Sequence, residues 1–134
     1  MHEKIEKLRG LKLLFVEDEE DLLSIISDAL TKLQANFLTA NNGIEALAIL
    51  KENPDIDAII TDINMPLMNG LDMIKNIIDQ GFDIPIIIMS AHTEIEYITK
   101  AEEYGVNEYL LKPFDFIKFI ELITSMEIKK YVNR

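Results

Sequence analysis

A strict alternation of short apolar runs and longer amphipathic stretches fills this chain, and few folds accommodate it. Residues 11–16 (LKLLFV), 36–40, 58–61 (AIIT), 85–90 (PIIIMS) and 108–111 read as strands. Leu22, Leu23, Ile25, Ile26, Ala29, Leu30 and Leu33 recur at helical spacing and predict a helix over about 19–34. Ile44, Ala46, Leu47, Ile49 and Leu50 predict a second helix, stopped at Asn53-Pro54. Leu71, Met73, Ile74, Ile77 and Ile78 predict a third, ended by Gly81. Helices over about 94–104 and 114–131 complete the set, with Pro113 at the first turn of the last, a favoured position for proline.

Five strand–helix units in sequence imply right-handed crossovers and a parallel sheet between two layers of helices. The expected fold is α/β, a doubly wound five-stranded parallel sheet of the flavodoxin-like (βα)5 kind; an eight-fold barrel needs about 250 residues. At 134 residues the chain suits one domain, with 1–10 expected as an N-terminal extension, 11–128 as the domain and 129–134 as a tail or the start of a linker. The absence of cysteine excludes disulfides, thiolate metal sites and a cysteine nucleophile, and fits a reducing cytoplasm. A net charge of −11 repels a phosphate backbone, so no direct nucleic-acid binding is expected. No apolar run approaches the roughly 20 residues of a membrane span, and Met1–Gly10 is too charged for a signal peptide, so a cytoplasmic, non-membrane protein is expected.

In open α/β sheets the chemistry lies beyond the carboxyl ends of the strands. Those positions hold Glu17 and Asp18 after the first strand, Asp62 after the third, Ser90 after the fourth and Lys112 after the fifth. Any one of these alone reads as a helix cap or a solvated side chain. Together they form an acidic crevice with a hydroxyl and a lysine. Crowded carboxylates repel one another. A hard divalent cation and the Lys112 ammonium would relieve this, and oxygen-only ligands favour magnesium over zinc. Such a site suits phosphoryl chemistry.

The segments FVEDEE, DAIITDINMPLMNG, IIIMSAH and YLLKPF, in this order and spacing, resemble the receiver domain of two-component response regulators, chemotaxis receivers included. The resemblance runs from about Lys12 to Met126. It implies that Asp62 is the phosphoacceptor, Glu17 and Asp18 the acidic pair, and Ser90 and Tyr109 the switch residues. Lys112 would contact the phosphoryl group, and Mg2+ (or Mn2+) would be held by Glu17, Asp18, Asp62 and the backbone carbonyl of Asn64. Glu17 stands where many members carry Asp. His92 occupies a position that tunes dephosphorylation in the family, although a lone loop histidine is commonly just solvated.

The implied partners are a sensor histidine kinase or a histidine phosphotransfer protein. The implied output is a surface of the fourth helix, fifth strand and fifth helix, docking a target or forming a phosphorylation-dependent homodimer. Off-stripe Ile95, Ile117 and Leu122 are expected to expose apolar surface there. The chain itself is expected to be a signalling phosphoacceptor, not an enzyme acting on other substrates. Two alternatives compete. An aspartate-nucleophile phosphatase of the haloacid dehalogenase type wants a second Asp where Asn64 stands, and a flavodoxin-like nucleotide module wants a glycine-rich loop where the acids stand.

Overall fold

The computed structural model describes residues 1–91, 95–126 and 128. In chain order its elements are α1 (His2–Arg9), β1 (Lys12–Val16), α2 (Glu20–Lys32), β2 (Asn36–Ala40), α3 (Gly43–Glu52) and β3 (Ala58–Asp62), then α4 (Gly70–Asp79), β4 (Ile86–Ser90), α5 (Ile95–Glu103), β5 (Glu108–Leu111) and α6 (Phe116–Ser125). All strand pairs are parallel, in the order β2-β1-β3-β4-β5. This is the expected doubly wound sheet.

Strand periodicity sorts the core into two layers. Leu13, Phe15, Ala58, Ile60, Ile87 and Met89 face Ile26 and Leu30 of α2 and Phe119, Ile120 and Ile123 of α6. Leu14, Val16, Ile59, Ile86 and Ile88 face α3, α4 and α5 through Ala46, Leu50, Met73, Ile74, Ile77 and Ala101. β3 and β4 are buried along their whole length, which explains their unbroken apolar runs. Asn42 and Asn69 accept the backbone N–H of Glu45 and Asp72 and so start α3 and α4.

Three features differ from the pattern reading. First, the 1–10 extension is helical and adds α1, so the helices read from periodicity as first to fifth are α2 to α6. Leu8 is fully buried in the α2/α6 layer. Lys7 Nζ donates to the Thr124 carbonyl at 2.8 Å and Arg9 Nε to the Leu33 carbonyl at 2.8 Å. One short helix thus places cations on the C-terminal ends of α6 and α2, where exposed carbonyls favour positive charge.

Second, α6 is shorter than predicted. Asp115 caps it through the Ile117 and Lys118 amides, so Pro113 precedes the helix. At the other end the Thr124 and Ser125 hydroxyls donate back to the Ile120 and Leu122 carbonyls. Met126 is extended and Ile128 returns to the core. The rest of the predicted helix, residues 127 and 129–131, lies outside the described residues. Third, Leu122 is half-buried against the core, whereas Ile95 (68 % exposed) and Ile117 (59 %) do face solvent.

Truncating Leu8 to Ala should cost about 2–5 kcal/mol in urea unfolding, the usual penalty for an emptied core position. An unchanged midpoint would mean that α1 is not held by the fold.

Candidate functional site

The carboxyl edge of the sheet gathers most of the candidate side chains by register. Thr61 pairs with Val16, Asp62 with Met89 and Ser90 with Leu111, so the residues ending or following each strand meet at one level. Glu17, just past β1, donates its N–H to the Ala40 carbonyl at 3.0 Å, which holds it at the sheet. Its side chain is fully buried. Oε1 accepts the Glu19 amide at 3.2 Å. Oε2 is buried and accepts no hydrogen bond among the described residues.

Asp62 ends β3 and is almost wholly buried. Oδ1 accepts the Ile63 N–H at 2.7 Å, and Oδ2 accepts from Lys112 Nζ at 3.0 Å. The same ammonium lies 3.8 Å from Glu17 Oε2. Carboxylate oxygens of Glu17, Asp18 and Asp62 come within 4.8 Å of one another. The cluster expected from the strand ends therefore exists, with Lys112 as its counter-charge.

Ser90 is buried on the same edge, but its hydroxyl donates to the Ala91 carbonyl at 2.9 Å. The Ser90 carbonyl accepts the Lys112 N–H at 2.8 Å, fixing the turn that carries the lysine. Tyr109 lies on edge strand β5 with its side chain 47 % exposed. Asn64 is exposed on the loop after Asp62, and His92 lies outside the described residues.

Pattern reading missed what shapes that loop. Gly70 donates to the Ile63 carbonyl at 2.7 Å, and a Cβ at position 70 would collide with the Asp62 carbonyl oxygen. Only glycine lets the start of α4 close against the end of β3. The sequence signal for this close approach is the Asn69-Gly70 pair.

Electrostatics follows the geometry. Burial, with Asp62 next, pushes the Glu17 carboxyl up to about 7, against the opposing pull of Lys112. Burial alone would lower Lys112, but its hydrogen bond to Asp62 and the charges of Asp62 and Glu17 outweigh this and raise it. An orphaned, buried carboxylate oxygen among three acids, in an all-oxygen donor set, fits a hard divalent cation.

A carboxyl raised from 4.5 to about 7 on folding holds more protons folded than unfolded between those values, so its contribution to stability falls as pH rises across them. Without divalent cation, the thermal midpoint should drop between about pH 5 and pH 8, and Glu17→Gln should flatten that slope. Added Mg2+ should stabilise most at the alkaline end. Equal slopes in both proteins would contradict this electrostatic assignment.

The model of the response regulator receiver domain family matches residues 13–124. The chain is 40 % identical over 107 residues to chemotaxis protein CheY1 of Helicobacter pylori, covering 78 % of this chain and 86 % of that one. It is 34 % identical over 118 residues to the two-component response regulator ARR10 of Arabidopsis thaliana, covering 84 % of this chain but spanning only 21 % of that protein. Among solved structures it resembles the receiver domain of Saccharomyces cerevisiae Ssk1, co-crystallised with the histidine phosphotransfer protein Ypd1. That match has a TM-score of 0.76 and 27 % identity, over 85 % of this chain and 86 % of that one. These matches lend the phosphatase alternative no support. Receiver domains bind Mg2+ at an acidic cluster, and Glu17, Asp18 and Asp62 make such a group here. The sheet topology, the acidic edge and the family match agree: the chain is a receiver domain of the two-component response regulator family, a signalling domain.

Proposed function

We propose that Asp62 accepts a phosphoryl group from a phosphohistidine on a sensor histidine kinase or a histidine phosphotransfer protein. The observation that carries this is the Lys112 ammonium 3.0 Å from Asp62 Oδ2, beside the orphaned oxygen of Glu17. Both oxygens of Asp62 are held, one by the Ile63 amide and one by Lys112, so the carboxylate is oriented before any donor arrives. An ionised carboxylate is already a nucleophile and needs no base. As Asp62 attacks, the donor P–N bond breaks, its electron pair stays on the imidazole nitrogen, and a P–O bond forms. Lys112 then follows the charge onto the phosphoryl oxygens. Asp18, Asp62 and the Asn64 carbonyl would hold Mg2+ or Mn2+, with Glu17 acting through water; when bound, the ion supplies charge neutralisation. Ypd1 bound to the Ssk1 receiver is a precedent for the donor class.

The output reading follows from the same edge. Ser90 would turn its hydroxyl from the Ala91 carbonyl toward the new phosphoryl group, and the exposed Tyr109 ring would move inward. Ile95, Tyr109, Leu111 and Ile117 expose apolar surface on α5, β5 and α6. That surface would dock a target or a second receiver. The receiver unit is read as residues 11–128, with 129–134 as a tail or the start of a linker. A cytoplasmic location and no direct nucleic-acid contact remain part of this reading, in keeping with the net charge of −11. No described helix is long and apolar enough to cross a membrane.

Incubation with acetyl phosphate and Mg2+ should attach one phosphoryl group to the wild type and none to Asp62→Asn, read by intact mass. Equal labelling of both would remove the assignment. Beryllofluoride with Mg2+ should change the sedimentation of the wild type, and Ile117→Glu should abolish that change. A monomer in all conditions would leave only the target-docking version.

A further inference from the structure

The loop that follows Asp62 contains a conformation that neither folding nor the chemistry above explains. Met68 N–H donates to the Pro66 carbonyl at 2.7 Å, closing a three-residue turn centred on Leu67, whose φ is +66°. Turns of this hand are rare and strained, and a bulky side chain at positive φ is an outlier. Leu67 gains no burial in return. It is 80 % exposed, the most of any large apolar side chain among the described residues.

The turn is nonetheless anchored. Gly70 N–H donates to the Ile63 carbonyl at 2.7 Å, and Gly43 N–H to the Met68 carbonyl at 3.2 Å. Pro66 and, at the start of α3, Ile44 are exposed too. A rigid turn therefore holds an apolar side chain in water five positions beyond the acceptor. Strain that the surroundings maintain at a site edge points to a role in recognition.

The phosphorus must come within bonding reach of Asp62 while it is attached to a donor's histidine. A protein donor therefore has to close over this rim. The rim is apolar at the Leu67 turn and acidic at Glu19, Glu20 and Asp21, which open α2. We propose that Leu67 is an anchoring and specificity-determining residue for the protein phosphodonor, filling an apolar pocket beside the donor's phosphohistidine, with basic side chains of the donor facing the start of α2. The proposal rests on Asp62 being the acceptor, and a small phosphodonor offers no such pocket.

The test compares two donors: acetyl phosphate, and the sensor kinase that labels the wild type fastest among a panel of ATP-phosphorylated kinases. Asparagine tolerates the left-handed conformation but is polar, whereas methionine keeps the apolar contact. Leu67→Asn should lower the ratio of kinase-driven to acetyl-phosphate-driven labelling about fivefold or more, through KM, with no fall in thermal midpoint. Leu67→Met should return that ratio to within about twofold of the wild type. An unchanged ratio in Leu67→Asn, or both donors failing together in that variant, overturns the proposal. So does a wild type labelled by acetyl phosphate but by no kinase. A wild type that neither donor labels at Asp62 instead overturns the reading of Asp62 as acceptor.

Discussion

The contact between Lys112 and Asp62 is the interaction on which the site depends, because it is the main counterweight to a crowded acidic edge. At an effective dielectric of about 20, two like charges roughly 4 Å apart repel by about 4 kcal/mol. Glu17, Asp18 and Asp62 make three such pairs within 4.8 Å, and the single ammonium faces two of the acids. One cation does not balance three anions. Burial, with the Asp62 charge next, pushes Glu17 up to about 7 and leaves it a buried oxygen without a donor among the described residues. This arrangement suits a further positive charge and the phosphoryl transfer proposed for Asp62, in which negative charge spreads over the phosphoryl oxygens.

The sheet makes the crowding possible. Parallel strands in register bring the ends of β1, β3, β4 and β5 to one level, and the fully buried central strands β3 and β4 hold that level against repulsion. Gly70 lets the start of α4 close against the backbone of Asp62. At the other end of the helices that follow this edge, α1 holds the last carbonyls of α2 and α6 through Arg9 and Lys7. Acids thus concentrate where the helices begin, and two α1 cations sit where α2 and α6 end, in accord with the helix dipoles.

Sequence pattern revealed most of the fold because short apolar runs mark the central strands β1, β3 and β4 and the turns carry Asn-Gly, Asn-Pro and glycine. It also revealed Glu17, Asp18, Asp62 and Lys112, since strand ends can be located without coordinates. It missed α1, where Ile5 and Leu8 are the apolar residues of an otherwise charged segment and tertiary partners supply the rest. It overran α6, since apolar spacing continues through Met126 and Ile128 while Thr124 and Ser125 bond back into the last turn and the chain extends. Hydroxyl direction at Ser90 and the left-handed turn at Leu67 were equally invisible. The first depends on a side-chain rotamer and the second on a backbone dihedral, and residue type specifies neither.

The most direct test of the account is a Mg2+ titration of the wild type and Asp18→Ala, followed by backbone amide NMR shifts. Weak binding in about the millimolar range is expected, with the largest shifts at Glu17, Asp18, Ile63 and Asn64. Affinity should be at least about tenfold lower without the Asp18 carboxylate. Equal affinity in the two proteins, or shifts centred away from the carboxyl edge of the sheet, would contradict it.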